Sequence, residues 1–128
     1  MSGELVLIVD DDEKNRKLAR DVLTFAGFRT LEAGSAEQGI ALAEEHLPAV
    51  ILMDIRLPGI DGSTAVGHLK QRDRTTRIPV VALTSLAMMG DRERFLAQGF
   101  DGYLEKPISV RTFPDQVLAF CGSTSDGR

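Results

Sequence analysis

Short apolar runs alternate with longer segments of helical spacing along the chain, and this alternation limits the possible folds more than any other feature. Several runs consist almost wholly of apolar, often β-branched residues, which is typical of strands buried on both faces of a parallel sheet. The predicted strands are Leu5–Val9, Phe28–Ala33, Val50–Met53, Pro79–Leu83 and Gly102–Leu104. Strands that alternate with helices indicate an α/β fold, and right-handed crossovers place its helices on both faces of the sheet.

The first predicted helix follows three consecutive aspartates. Leu18, Val22 and Phe25 recur in it at i, i+4 and i+7, which predicts an apolar stripe that faces the sheet. Asp11 or Asp12 can cap the start of this helix, because a carboxylate accepts hydrogen bonds from the free backbone N–H groups of the first turn. We therefore expect at least one of the three aspartates to have a structural role.

The later helices carry weaker start and stop signals. Ser35, with Gln38 three residues further on, forms a capping box at the start of the second helix. Gly67 lies inside the third helix and costs about 1 kcal/mol relative to alanine, so that helix is expected to be weak. Pro114 is tolerated only in a first turn, so the fifth helix is expected to begin late, near residues 112–113, or to be bent there.

The length and composition of the chain fit a single domain. It has 128 residues, of which 43% are hydrophobic and 27% charged, and we expect residues 1–121 to fold together with 122–128 as a flexible polar tail. Cys121 is the only cysteine, so no internal disulfide can form and a cytoplasmic location is expected. No apolar stretch approaches the roughly 20 residues that a membrane span needs.

The charge of the chain argues against nucleic acid as a partner. Its net charge is −4, whereas a nucleic-acid-binding domain usually carries an excess of basic residues. The arginines of the segment KQRDRTTR, residues 70–77, suggest a phosphate-binding patch as one alternative. Because this segment also contains Asp73 and lies between two periodic elements, a solvated loop is the preferred interpretation.

Polar side chains stand at the ends of four predicted strands. Asp10 and Asp11 follow the first strand, Asp54 the third, Thr84 the fourth and Lys106 the fifth. The carboxyl ends of parallel strands meet at one edge of the sheet, so these side chains are expected to converge there. Two carboxylates about 4 Å apart repel by about 4 kcal/mol at an effective dielectric constant near 20. A hard divalent cation such as Mg²⁺, which prefers oxygen ligands, would remove this repulsion.

The same cluster predicts phosphoryl transfer to a carboxylate. Asp54 can act as a nucleophile and form an aspartyl phosphate. The metal ion and Lys106 would offset the negative charge of the incoming phosphoryl group, and the hydroxyl of Thr84 can donate to one of its oxygens. Acidic residues and lysines are common singly, but their occurrence together at successive strand ends is a specific signal.

Four motifs identify a family that the chain resembles. LIVDDD, ILMDIRLPGIDG, VVALTS and GYLEKPIS match, in order and spacing, the receiver domain of two-component response regulators over about residues 4–121. The run IPVVALTSLAMMGD followed by YLEKPISV looks closest to single-domain regulators of cell division and polarity. The resemblance implies a flavodoxin-like (βα)5 fold with a five-stranded parallel sheet of order 2-1-3-4-5.

The resemblance also implies which residues accept the phosphoryl group and hold the metal ion. Asp54 resembles the phosphoacceptor of the family. Asp11 looks like a direct Mg²⁺ ligand, and Asp10 like one that acts largely through water. The backbone carbonyl of Arg56 is expected to supply a further ligand. Asp12 lies outside the metal site in the family pattern, which makes helix capping its expected role.

Three further residues resemble the switch elements of the family. Thr84 resembles the switch hydroxyl and Tyr103 the switch aromatic residue. Lys106 resembles the lysine that pairs with the phosphoryl group, and the bond between Lys106 and Pro107 is expected to be cis. Phosphorylation is then expected to reshape a face made by the fourth helix, the fifth strand and the fifth helix.

A signalling switch is therefore the expected function, rather than an enzyme. The phosphoryl donor would be a phosphohistidine on a sensor histidine kinase or a histidine phosphotransfer protein, and a downstream target protein would dock on the switch face. The chain would act as a monomer or as a phosphorylation-dependent dimer. No effector domain is expected, unless the chain is a receiver module of a hybrid histidine kinase or a larger regulator.

Two other functions compete with this interpretation. A Mg²⁺-dependent phosphohydrolase would also use Asp54 as a nucleophile, but such enzymes usually need a second acid two residues further on, where this chain has Arg56. A receiver fold without phosphorylation chemistry is the other alternative. The intact acidic pair, Thr84 and Lys106 argue against it.

Overall fold

The architecture is a five-stranded parallel sheet with helices on both faces. The computed structural model describes residues 3–55, 57, 62–84, 91–106 and 108–121. The strands are β1 (Leu5–Val9), β2 (Arg29–Ala33), β3 (Val50–Asp54), β4 (Val80–Thr84) and β5 (Gly102–Glu105). The helices are α1 (Glu13–Phe25), α2 (Ala36–His46), α3 (Gly62–Lys70), α4 (Asp91–Gln98) and α5 (Phe113–Phe120). The sheet order β2-β1-β3-β4-β5 and the parallel pairing confirm the predicted fold class.

The core has two layers because successive residues of each strand point to opposite faces. One layer packs β-strand side chains such as Leu7 and Met53 against α2, α3 and α4. The other packs side chains such as Ile8 and Leu52 against α1 and α5. Every residue of β3 and β4 is buried, as their continuous apolar sequences predict.

The buried face of α1 differs from the prediction. Val22 is buried, but Leu18 is 44% exposed and Phe25 is 95% exposed. The helix instead buries Ala19 and Leu23 beside Val22, so the predicted stripe lies to one side of the face that contacts the sheet. The periodicity predicted the helix correctly but not the face that it turns to the sheet. The small Ala19 contacts the sheet as readily as a larger side chain does. Leu18 and Phe25 therefore remain in contact with solvent.

The helix ends follow the predicted capping chemistry. Asp12 caps α1 and accepts hydrogen bonds from the backbone N–H groups of Lys14 (2.9 Å) and Asn15 (3.3 Å). Ser35 caps α2 by accepting from the Gln38 N–H at 3.2 Å, while the Gln38 side chain accepts from the Gly34 N–H at 2.9 Å.

The start of the last helix also agrees with the sequence. The helix α5 begins at Phe113 with Pro114 in its first turn, as proline requires. The Cys121 thiol after this helix is buried, and burial together with the negative charge of Glu4 raises its pKa to about 11. Such a thiol is unreactive at neutral pH. No helix in the described part of the chain is long and apolar enough to span a membrane.

The loop between α3 and β4 is fixed by contacts that the sequence did not reveal. Thr75 is buried and donates a hydrogen bond to the Leu69 carbonyl at 2.6 Å. Arg74 donates to the backbone carbonyl of Glu44, and Arg72 pairs with the carboxylate of the same residue. Both arginines are exposed, as the predicted solvated loop requires, but the sequence did not reveal their contacts with Glu44 or the burial of Thr75.

Two helical glycines should respond to alanine in opposite ways. A Cβ atom on Gly39 of α2 would lie 2.8 Å from Cγ2 of Val9, whereas one on Gly67 of α3 would have no heavy atom within 4 Å. We expect Gly67→Ala to raise the free energy of unfolding by about 1 kcal/mol through helix propensity. Gly39→Ala should lower it by about 1–3 kcal/mol through overpacking, because the β-branched Val9 cannot turn away. Urea denaturation measures both changes, and shifts of the same sign would contradict this account of the packing.

Candidate functional site

The strand ends place the predicted polar residues at one edge of the sheet. Asp10 directly follows β1, and its backbone N–H donates to the Ala33 carbonyl at 3.0 Å. Asp54 is the last residue of β3, beside Leu83 in the register with β4. The Lys106 N–H donates to the Thr84 carbonyl at 2.7 Å. Main-chain hydrogen bonds therefore fix the backbone positions from which these side chains extend.

Three carboxylates form a compact cluster at this edge. Asp10, Asp11 and Asp54 each contribute one oxygen, and these oxygens lie within 4.8 Å of one another. Asp10 and Asp54 are only 1% and 7% exposed, whereas Asp11 is exposed, so the cluster opens to solvent on one side. Hard oxygen donors grouped in this way fit Mg²⁺, which takes one or two carboxylates and keeps several waters.

The Lys106 ammonium group joins the two buried carboxylates. Its Nζ lies 3.1 Å from Oδ2 of Asp10 and 3.1 Å from Oδ2 of Asp54. Burial lowers the pKa of Lys106, but the hydrogen bonds to Asp10 and Asp54 outweigh this effect, and the pKa is raised. The group therefore stays positively charged at neutral pH and partly neutralises the cluster.

The surroundings of the Asp10 carboxyl group raise its pKa. Burial raises its pKa, and the negative charge of Asp54 acts in the same direction. Hydrogen bonds from the Asp12 N–H and from Lys106 oppose the shift. The carboxylates thus lie in an environment that favours a further positive charge.

Arg16 supports the site and was missed by the sequence reasoning. Its Nη1 donates to the Asp10 carbonyl at 2.8 Å, and its Nε lies 3.3 Å from Oε1 of Glu32 in β2. Arg20, one helical turn further on, donates to the other oxygen of Glu32 at 3.0 Å. These hydrogen bonds hold α1 against β2 and against the segment that carries Asp10. The i, i+4 spacing of the two arginines, opposite an acid in a strand, was the signal that could have found it.

The two expected switch residues lie in different surroundings. Thr84 is buried at the end of β4. Tyr103 in β5 is half-buried, and its ring packs against Phe95 of α4 with the centroids 5.6 Å apart. Arg56 and Pro107 lie outside the described residues, and so do the expected metal-ligand carbonyl and the bond expected to be cis.

Comparison with known proteins agrees with this geometry. The sequence model of the response regulator receiver domain matches residues 6–118. The polar-differentiation response regulator DivK of Brucella anthropi is 41% identical over 117 residues, which span 91% of this chain and 95% of DivK. The match to DivK agrees with the resemblance to single-domain regulators of cell division and polarity.

Solved structures extend the comparison to the fold and the site. The receiver domain of the sensor histidine kinase PA1611 from Pseudomonas aeruginosa is 31% identical, with a TM-score of 0.83 over 93% of this chain and 98% of that one. That structure holds a magnesium ion in its active-site cleft. The chemotaxis protein CheY4 of Vibrio cholerae shares the fold at 24% identity, with a TM-score of 0.86 over 93% and 99% of the two chains. This chain belongs to the response regulator receiver-domain family.

Proposed function

We propose that Asp54 is the phosphoacceptor of this receiver and that Mg²⁺ is its cofactor. The observation that carries the proposal is the position of Lys106 Nζ, 3.1 Å from both Asp10 and Asp54. A positive charge at this place can pair with a phosphoryl group on Asp54 without rebuilding the site. The magnesium ion in the PA1611 receiver supports the same choice of metal.

The transfer step is a displacement at phosphorus. An oxygen of Asp54 attacks the phosphorus of a phosphohistidine on the donor, the O–P bond forms, and the P–N bond breaks to release the imidazole. Lys106 stabilises the negative charge on the phosphoryl oxygens. Asp10, Asp11, Asp54 and the Arg56 carbonyl would hold Mg²⁺, which supplies a second positive charge there. The chain's own residues thus orient the acceptor and offset charge.

The phosphoryl group then changes which conformation is favoured. Its oxygens would accept a hydrogen bond from Thr84, and movement of Thr84 would leave space for Tyr103, whose ring now packs on Phe95. The face formed by α4, β5 and α5 would change with it and dock a downstream target protein. The phosphoryl group shifts the equilibrium between the two conformations only by as much as it interacts more favourably with one of them than with the other.

An exposed apolar strip next to the site supports a docking surface for the donor. Leu18 and Ile108 border a small cavity that Asp10 and Lys106 also line. Leu18 of α1 is 44% exposed. A donor that delivers a phosphoryl group must approach this edge of the sheet, so we infer that a sensor kinase or phosphotransfer protein covers these side chains.

A phosphohydrolase is not favoured by any observation. Position 56 carries an arginine where such enzymes usually need a second acid, and the family match is to signalling receivers. We further propose that the chain acts in the cytoplasm, because its only cysteine is kept as a buried thiol.

Acetyl phosphate tests the proposed acceptor without a protein donor. With Mg²⁺ present, intact-protein mass spectrometry should show the gain of one phosphoryl group, because the site itself supplies the acceptor and the charge neutralisation. The gain should vanish in Asp54→Asn and on chelation with EDTA. Phosphorylation of Asp54→Asn to the wild-type level would exclude Asp54 as the acceptor, and multiple turnover of a small phosphate ester would favour a hydrolase.

Leu18→Ser tests the donor surface. Since Leu18 is 44% exposed and belongs to neither core layer, the fold and the reaction with acetyl phosphate should be unchanged. Transfer from a phosphorylated histidine phosphotransfer protein that serves the wild type should slow by about tenfold, the loss expected from one apolar interface contact of about 1.4 kcal/mol.

The matched control for this experiment is Leu47→Asn. Leu47 is also an exposed apolar residue, but it ends α2 at the opposite edge of the sheet, and its φ of 51° suits asparagine. Equal slowing by Leu18→Ser and Leu47→Asn would rule out the proposed surface.

A further inference from the structure

A second concave site lies at the opposite edge of the sheet, where the strands begin. Its volume is about 510 Å³, within the range of small-molecule sites. Leu5 and Arg29 start β1 and β2, while Ala49 and Ile78 lie just before β3 and β4, and all four line it. Strands of five residues separate this cavity from the acidic cluster by roughly 15 Å.

Basic side chains line this cavity, although the net charge of the chain is −4. Three arginines and one histidine line it: Arg29, His46, Arg74 and Arg77. Among the described residues that line it, Glu4 is the only one with a carboxylate. Arg74 and Arg77 belong to the segment in which a phosphate-binding patch was the less favoured interpretation of the sequence.

Among the residues that the structure describes, no carboxylate forms an ion pair with any of the three guanidinium groups. Arg29 Nε donates to the Gly3 carbonyl at 2.7 Å, and Arg74 donates to the Glu44 carbonyl at 2.9 and 3.1 Å. Arg77 makes no hydrogen bond or ion pair with any residue that the structure describes. The carboxylate of Glu44 is itself paired with Arg72. Backbone carbonyls therefore orient two of the cations while leaving their charge unneutralised.

Apolar side chains also line the cavity. Leu47, Pro48 and Ile78 lie between the cationic groups. Guanidinium groups bind phosphate oxygens in pairs, with planar, charge-assisted hydrogen bonds. We propose that this cavity binds a small organic phosphate, with the phosphate groups on the arginines and a planar or apolar body against Leu47 and Ile78. The assignment is independent of phosphorylation at Asp54, which lies at the other edge.

Isothermal titration calorimetry with ATP as the probe tests this site. EDTA is included so that the metal-free carboxylates at the other edge repel the probe. Binding should be saturable at one site with a Kd below about 1 mM. Inorganic pyrophosphate should bind at least about tenfold more weakly, because it lacks a body to cover the apolar surface. Equal affinity for pyrophosphate, or no saturable binding of ATP, would overturn the assignment.

A pair of arginine variants locates the binding. Arg77→Ala should weaken ATP binding about fivefold or more, while Arg111→Ala removes an equally exposed charge near α5 and should leave it unchanged. In ¹H–¹⁵N spectra, ATP should shift the amides of residues 46, 47, 49 and 74–78. Equal weakening by both variants, or shifts confined to residues 10, 54 and 106, would contradict the proposal. Both variants should still be phosphorylated by acetyl phosphate, so a failure here leaves the proposed function of Asp54 standing.

Discussion

The bridge from the Lys106 ammonium group to Asp10 and Asp54 is the interaction on which the site depends. Two buried carboxylates about 4 Å apart would otherwise repel by about 4 kcal/mol at an effective dielectric constant near 20. Because Nζ of Lys106 lies 3.1 Å from one oxygen of each carboxylate, it holds the two carboxylates in place and partly offsets their negative charge. In the proposed phosphorylated form, the same ammonium group would pair with the phosphoryl group on Asp54. One residue would then serve both the stability of the acidic cluster and the proposed chemistry.

The fold positions this bridge with its main chain rather than with flexible side chains. The parallel pairing of β1 with β3 brings Asp10 beside Asp54, and the bond from the Lys106 N–H to Thr84 sets the lysine after β5. Arg16 holds the Asp10 carbonyl from α1. The proposed donor surface and the acidic cluster thus share one edge of the sheet, while the basic cavity occupies the other edge.

Strand-end residues were predictable from the sequence, and contacts between distant elements were not. The rule that parallel strands present their carboxyl ends at one edge was enough to group Asp10, Asp54 and Lys106. The sheet order came from the family resemblance. The predicted orientation of α1 was wrong because the spacing of apolar residues predicts that a helix forms but not which face contacts the sheet. The exposure of Phe25 shows this. The contact of Arg74 with Glu44 joins residues 30 positions apart, which no local pattern reveals.

Chemical trapping of the phosphorylated residue tests the central claim most directly. Sodium borohydride reduces an aspartyl phosphate to homoserine, which peptide mass spectrometry locates in the sequence. After treatment with acetyl phosphate and Mg²⁺, homoserine should appear at position 54 and nowhere else. Homoserine at position 10 or 11, or no homoserine at all in protein that has gained a phosphoryl group, would contradict the account.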